Sequence, residues 1–289
     1  MILITGASGT AGREVLRAVA KSGAKHRAMY RSAQEAAKAP PGTETVVADF
    51  AKKETLGPAL RGVSGVYLVC GPVPDLVELE SNMIDACVEA GGTHVVLNSA
   101  LGAGDYDKSF PSWHRKVEDK LRETKLSSTI LRPNSFHQNT VTYYAPSIRA
   151  QGVFYSSLGN ARMSYIDVRD IAGAVAKTLA GKEHSGKTYE LNGPEALTAS
   201  EIAEKIARYS GRQVKYVDIP MEAQRKSMLD LGMPEWQVTA LLDLQQYYVN
   251  GKGGEVDNVL QRLLGRKPIT MDEFLAENAA AFREQSATA

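Results

Sequence analysis

Cysteine is scarce: Cys70 and Cys87 are the only two in 289 residues, too few for a disulfide framework. A reducing compartment, the cytoplasm, is therefore the expected location. No apolar run is long enough to cross a membrane, and the first strand begins at residue 2, which leaves no room for a signal or transit peptide. Charge of one sign is also missing, since 34 Lys and Arg against 33 Asp and Glu give a net +1. With no basic stripe and no recognition-helix signature, no nucleic-acid partner is expected. Cys and His do not fall at zinc spacings, so no metal is expected. No P-loop, Cys/His pair or glycosidase-like pair of carboxylates stands out, which argues against nucleophilic and metal-assisted hydrolysis.

Glycine, by contrast, is placed with purpose. The chain opens Met1-Ile2-Leu3-Ile4-Thr5-Gly6-Ala7-Ser8-Gly9-Thr10-Ala11-Gly12, an apolar strand running into three glycines spaced three apart. Such a run lets a strand turn at Gly6, a pyrophosphate approach the backbone near Gly9, and a helix pack closely at Gly12. In the helix that follows, Ala11, Val15 and Val19 share a face while Arg13, Arg17 and Lys21 point elsewhere. Its free N–H groups and positive dipole end suit phosphates. At the end of the second strand, 26–30, an NAD enzyme places an acid for the ribose hydroxyls, but here the residue is Arg31, 25 positions after Gly6. A guanidinium there fits a 2′-phosphate, so the expected cofactor is NADP(H).

Short β-rich runs at 44–48, 66–70, 95–98 and 128–131 alternate with amphipathic stretches at 54–60, 76–90 and 113–124. This βαβ series predicts an α/β Rossmann-type, doubly wound parallel sheet. Ligands in such sheets sit beyond the carboxyl ends of the strands. The residues there are Asp49, Phe50, Gly71, Pro72, Asn98, Ser99, Leu101, Pro133, Asn134 and Phe136. Asp49 is expected at the adenine edge with Phe50 against its face, and Gly71-Pro72 beside the ribose. After a last strand at 188–191 the chain turns mainly helical, at 200–209, 222–231, 235–248, 256–264 and 271–282. Thr198 and Glu201 have capping-box spacing, Gly211, Gly232 and Gly265 mark helix ends, and 251–254 reads as a mobile joint. The domains expected are 1–192, binding the cofactor, with a segment near 136–162 serving the substrate side, and a smaller substrate lobe at 193–289.

The glycine opening, Arg31, the Asp49-Phe50 pair, Leu131-Arg132-Pro133-Asn134-Ser135-Phe136-His137-Gln138-Asn139, Tyr165-Ile166-Asp167-Val168-Arg169-Asp170-Ile171-Ala172, and Tyr189-Glu190-Leu191-Asn192-Gly193-Pro194 with Leu197-Thr198 occur in that order. Together they resemble the NmrA-like atypical short-chain dehydrogenases over nearly the whole chain. The resemblance implies that Gly6, Ser8, Gly9, Thr10, Ala11, Gly12, Arg31 and the strand-end residues hold NADP(H). It also implies that Pro133, Asn134 and Phe136 border the nicotinamide, and that His137 and Asn139 face the substrate. Asp167 and Asp170 read instead as a helix cap and a first-turn carboxylate.

A typical short-chain dehydrogenase protonates its product from the Tyr of Y-x-x-x-K, with Ser polarising the carbonyl. This chain keeps Ser99, but alignment on Val117-Glu118 puts Phe110 at the Tyr position and His114 at the Lys position. Ser99 and His114 are the candidate catalytic residues. His114 reads equally as a helix-face histidine beside Trp113, and Ser99 as a strand-end hydroxyl bonded to backbone. Triphenylmethane reductase-like members share the loss of Tyr, which implies hydride transfer to an electrophilic acceptor such as a quinone, a dye or a conjugated enone. The aromatic run at 236–248, with Trp236, and the pair Tyr143 and Tyr144 suit core packing, a lid over a planar substrate, or a homodimer face. Two competing readings are a regulator that binds NADP(H) as a signal and presents its helical lobe to a protein partner, and an epimerase or ether reductase.

Overall fold

The computed structural model describes residues 1–283, which fall into two compact units: 1–133 with 168–191, and 134–167 with the chain from Asn192 onward. The first unit begins β1 (Ile2–Ile4), α1 (Thr10–Lys21), β2 (His26–Tyr30), α2 (Ala33–Ala36), β3 (Glu44–Val47), α3 (Leu56–Ala59), β4 (Gly65–Leu68), α4 (Leu76–Ala90), β5 (His94–Asn98), α5 (Ser109–Arg122) and β6 (Ser127–Pro133). The chain then enters the second unit for α6 (Ala145–Gln151) and β7 (Val153–Ser156), and returns to the first for α7 (Val168–Ala180) and β8 (Thr188–Leu191). It ends in the second unit with α8 (Ala199–Ser210), β9 (Lys215–Asp218), α9 (Met221–Asp230), α10 (Glu235–Val249), α11 (Val259–Leu264) and α12 (Met271–Asn278). The chain leaves the first unit after Pro133 and returns to it at Val168.

Seven strands make the sheet of the first unit, in the order β3-β2-β1-β4-β5-β6-β8, all parallel. Alternation along each strand feeds two cores. Leu3, Val66, Leu68, Val95, Leu97 and Ile130 join Leu76, Met83, Ile84 and Cys87 of α4 and Val117 and Leu121 of α5. The intervening Ile4, Ala28, Tyr67, Val96 and Leu131 are buried on the opposite face, where α1 packs against α7. Order reverses between β1 and β4, which opens a crevice at their carboxyl ends. Thr5 pins that point: its Oγ1 donates to the Tyr67 carbonyl (2.9 Å) and accepts from the Val69 N–H (2.9 Å).

In the second unit β7 and β9 pair in parallel, and Tyr144 stacks on Phe154 with ring centroids 4.2 Å apart. Neither strand was legible, because each has only four residues and pairs across more than 50 positions. A π-helical turn over Thr140–Tyr144 has no signature in the residues either. Thr198 and Glu201 do form a capping box, and Thr270 with Glu273 forms a second. The 251–254 stretch differs from the mobile joint expected of its glycines. The Gly253 carbonyl accepts from the Ser164 N–H (2.8 Å) and from Asn134 Nδ2 (2.9 Å), so backbone bonds dock the turn.

An ionisable group is sealed against the first core with little to offset its burial. Glu80 of α4 is fully buried, its Oε1 accepts from the Cys70 N–H (2.8 Å), and Oε2 has no hydrogen-bond partner among the described residues. Burial pushes its carboxyl up to about 8 from 4.5, only partly offset by the Cys70 bond. Between those values the folded chain holds a proton that the unfolded chain releases, so stability falls as pH rises. His114 acts with the opposite sign, since burial lowers it from 6.5 to about 4 and stability is lost as pH falls through that range. From pH about 6.5 to about 8.5 the Glu80 effect stands alone of the two, and the urea midpoint is expected to drop. Glu80→Gln should flatten that slope; an unchanged slope would show that Glu80 is ionised in the fold.

Candidate active site

The loop from β1 to α1 is built on close backbone approach. Gly6 has φ +57°, a left-handed conformation that suits glycine, and its carbonyl accepts from the Gly9 N–H at 2.9 Å. A Cβ on Gly12 would lie 2.0 Å from the Gly6 oxygen, and one on Gly9 would lie 3.2 Å from it. Gly9 is the extended N-cap of α1 and offers no side-chain cap, so the first N–H groups of this twelve-residue helix stay available. Gly6, Ser8, Gly9 and Thr10 are exposed, whereas Ala11 and Gly12 are buried against the sheet. This is the cradle that a dinucleotide pyrophosphate requires, and the residues present fit it.

Next to the loop, Arg31 follows β2 directly and is exposed. Its charge reaches across the carboxyl edge of the sheet. The Cys70 thiol is pushed up to about 12, chiefly by burial and then by Glu80, while Arg31 pulls it down and Asp49 pushes it up. Asp49 is half-buried, and its Oδ1 accepts from the Ala51 N–H (3.0 Å). Gly71 and Pro72 are exposed, with open space beside Gly71. Phe50 differs from its expected place on the adenine face. It is 9% exposed and belongs to the core with Leu56 and Met83, because its alternate position in the chain turns it inward.

At the ends of β5 and β6 the groups are tied to one another. Tyr67 donates to Asn98 Oδ1 (3.2 Å). Ser99 Oγ donates to Glu118 Oε1 at 2.6 Å. Arg132 grips the same carboxylate with both arms of its fork, Nε to Oε1 at 2.8 Å and Nη2 to Oε2 at 2.6 Å, and Arg122 adds a bond of 2.8 Å. Burial alone would raise the Glu118 carboxyl, but the hydrogen bonds from Arg132 and Ser99 and the charges of Arg132 and Arg122 hold it below the usual range. The Ser99 proton is therefore committed to a buried carboxylate. His114, one turn before Glu118, has a buried Nδ1 with no hydrogen-bond partner among the described residues. Held at about 4 by burial against the pull of Glu118, it is a neutral imidazole at neutral pH. Phe110 is buried edge-on to Trp113 at 5.2 Å and has no proton to exchange. Pro133 is buried at the end of β6.

Within the second unit, Asn134 is fully engaged. Its amide donates to Asn192 Oδ1 (3.1 Å) and to the Gly253 carbonyl, and its Oδ1 accepts from the Ser135 N–H (2.8 Å). That makes it a brace, with no donor left for the nicotinamide. His137 is also turned from the expected substrate side: it is fully buried, 5.4 Å from Phe274 between ring centroids, with Nδ1 3.9 Å from Asp167 Oδ2. Phe136 and Asn139 are half-buried, Asn139 donating to Ser135 Oγ (3.1 Å). Tyr143 is 52% exposed and Trp236 half-buried, while Tyr247 and Tyr248 are buried. The residues missed in the sequence are Thr5, Glu80, Glu118 and Arg132. A polar residue within an apolar strand and a charged residue on the inward face of an amphipathic helix were the available signals.

Gly12→Ala tests the cradle. Overpacking of this kind typically costs about 1–3 kcal/mol, so the urea midpoint is expected to fall by that equivalent and nucleotide binding to weaken. Wild-type stability and wild-type affinity together would mean that the loop is not in the close contact described.

The NmrA-like family matches residues 1–275 of this chain. An NAD(P)H azoreductase from Xenophilus azovorans is 33% identical over 98% of this chain and 99% of its own length. A solved structure of the NADPH-dependent quinone oxidoreductase of Escherichia coli complexed with NADPH superposes with a TM-score of 0.87 at 27% identity, covering 97% of this chain and 99% of that one. The triphenylmethane reductase of Citrobacter sp. has the same fold, with a TM-score of 0.86 at 24% identity over 96% of this chain and all of that one. A family match over nearly the whole length, a relative of this identity and a seven-stranded parallel sheet with the dinucleotide loop after β1 place this chain in the NmrA-like family, on an α/β Rossmann-type fold.

Proposed function

We propose that the chain is an NAD(P)H-dependent reductase that passes hydride to a conjugated, electron-poor small molecule, a quinone, a dye or an enone. The observation that carries this reading is the state of the protons at the carboxyl edge of β5 and in α5. Ser99 donates to Glu118, His114 is neutral and sealed at Nδ1, and Phe110 fills the place of the usual tyrosine. An acceptor that is already electrophilic needs no protein acid to receive hydride. When bound, the cofactor supplies that hydride. The chain's own part is to hold it: the loop 6–12 and the N-terminus of α1 for the pyrophosphate, Arg31 for a 2′-phosphate, and Gly71-Pro72 for the ribose.

On the substrate side, Asn139, Tyr143 and Trp236 remain the proposed contacts, and Phe136 is proposed to border the nicotinamide, giving aromatic surface suited to a planar guest. His137 contributes by packing on Phe274. The azoreductase and quinone oxidoreductase relatives support acceptors of this class. A cytoplasmic setting is proposed on the two unpaired thiols, Cys70 and Cys87.

Purified protein supplied with NADPH labelled at C4 is expected to deliver label to at least one acceptor in a panel of quinones, azo and cationic dyes, and enones. Tight NADPH binding with no transfer to any of them would instead identify a cofactor-sensing regulator. Ser99→Ala and His114→Ala should each keep turnover within about tenfold of wild type, since general acid catalysis is worth ~10²–10⁴-fold. A loss in that range, at saturating cofactor, would reveal a proton donor in the pair.

A further inference from the structure

The turn after β2 carries a carboxylate as well as a guanidinium. Ser32 Oγ accepts from the Glu35 N–H (3.2 Å), which folds the short α2 back toward the end of the strand. As a result, Glu35 Oε2 lies 3.3 Å from the Arg31 backbone N–H, and Oε1 lies 3.4 Å from the Ser8 hydroxyl. Ser8 belongs to the phosphate loop and Arg31 directly follows β2, so the carboxylate bridges the two elements that frame the 2′ position of a bound adenosine. Its charge is felt by the neighbouring Tyr30 hydroxyl, raised first by burial and then by Glu35. Both bonds that hold it are long, so Glu35 is tethered loosely and keeps lone pairs to offer. Asp49 and Arg31 both act on the Cys70 thiol, with opposite signs, so a second carboxylate shares this edge of the sheet.

We propose that Glu35 sets the balance between NADPH and NADH. Its carboxylate accepts from a free ribose 2′-hydroxyl, as an acid at the end of β2 does in NAD enzymes, and must be displaced for a 2′-phosphate to reach Arg31 and Ser8. Arg31 and Glu35 thus give one pocket two modes: guanidinium against phosphate, or carboxylate against diol. Such a pocket takes both cofactors, and the side chain at position 35 decides by how much they differ. This inference rests on the reading of loop 6–12 and Arg31 as the adenosine end of an NAD(P)H site.

Titration calorimetry of the intact protein with 2′,5′-ADP and with 5′-ADP isolates that end of the cofactor without any turnover. Glu35→Gln is expected to tighten 2′,5′-ADP by roughly five- to tenfold and to weaken 5′-ADP by roughly two- to fivefold, opposite signs that general damage to the loop cannot produce. Glu35→Asp, which keeps the charge but draws it back by one methylene, should move each affinity in the direction expected of the Gln variant but by less, tighter for 2′,5′-ADP and weaker for 5′-ADP, and it keeps the test valid if the Gln variant fails to fold. Parallel changes for the two nucleotides, or none, would overturn the role of Glu35. In that case, selective loss of 2′,5′-ADP by Arg31→Ala would still uphold the cofactor site. Failure of the unmodified chain to bind either nucleotide would overturn the site and this inference together.

Discussion

Much of this molecule depends on one close approach, between the Gly6 carbonyl and the backbone of Gly12. No side chain fits there, since a Cβ would come within 2.0 Å of the oxygen. With that gap closed, α1 starts after a loop of only residues 5–9 beyond β1 and points its unfilled N–H groups at the crevice where strand order reverses. Thr5 holds the other wall by bonding twice to the end of β4. A glycine-spaced loop on an unpinned strand would be a flexible turn; pinned, it is a rigid anion cradle.

Among the buried carboxyls of the first unit, Glu118 and Glu80 are in opposite states, and the contrast explains what each does. Glu118 has a guanidinium fork, a second arginine and a hydroxyl, which together outweigh the cost of burial and keep it charged. Glu80 has one backbone N–H and stays protonated well into the neutral range. The first is an anchor: it fixes the ends of β5 and β6 relative to α5. The second binds the β4 loop at Cys70, beside which the ribose is proposed to lie.

The same anchor shapes the chemistry available to the site. A short-chain dehydrogenase serine works by donating to a substrate oxygen. Here the Ser99 proton points into the protein, toward a carboxylate that burial and two arginines hold in place. Together with a neutral His114 and the phenylalanine at 110, that is the arrangement on which the proposed acid-free hydride transfer rests. Relatives that reduce azo compounds and quinones fit this division of labour.

Some of this was legible in the residues alone. The glycine spacing, the β-rich runs and the 76–90 helix follow from local sterics and period, and α4 lies at those bounds. Arg31 was readable because its place after β2 is set by a count along the chain. Phe50, Asn134 and His137 were expected to face the ligand, but a position near a strand end does not say which way a side chain turns. Packing turned Phe50 and His137 inward, and a carbonyl 119 positions away engaged Asn134. Glu35 was passed over for the same reason, as a helix residue five places beyond the strand. The sequence by itself determined the sheet, the loop and the kind of cofactor, since these depend on neighbours within a few residues. Only the tertiary structure decided which protons are free, because Ser99, Glu118 and Arg132 meet across strands and a helix that no local pattern joins.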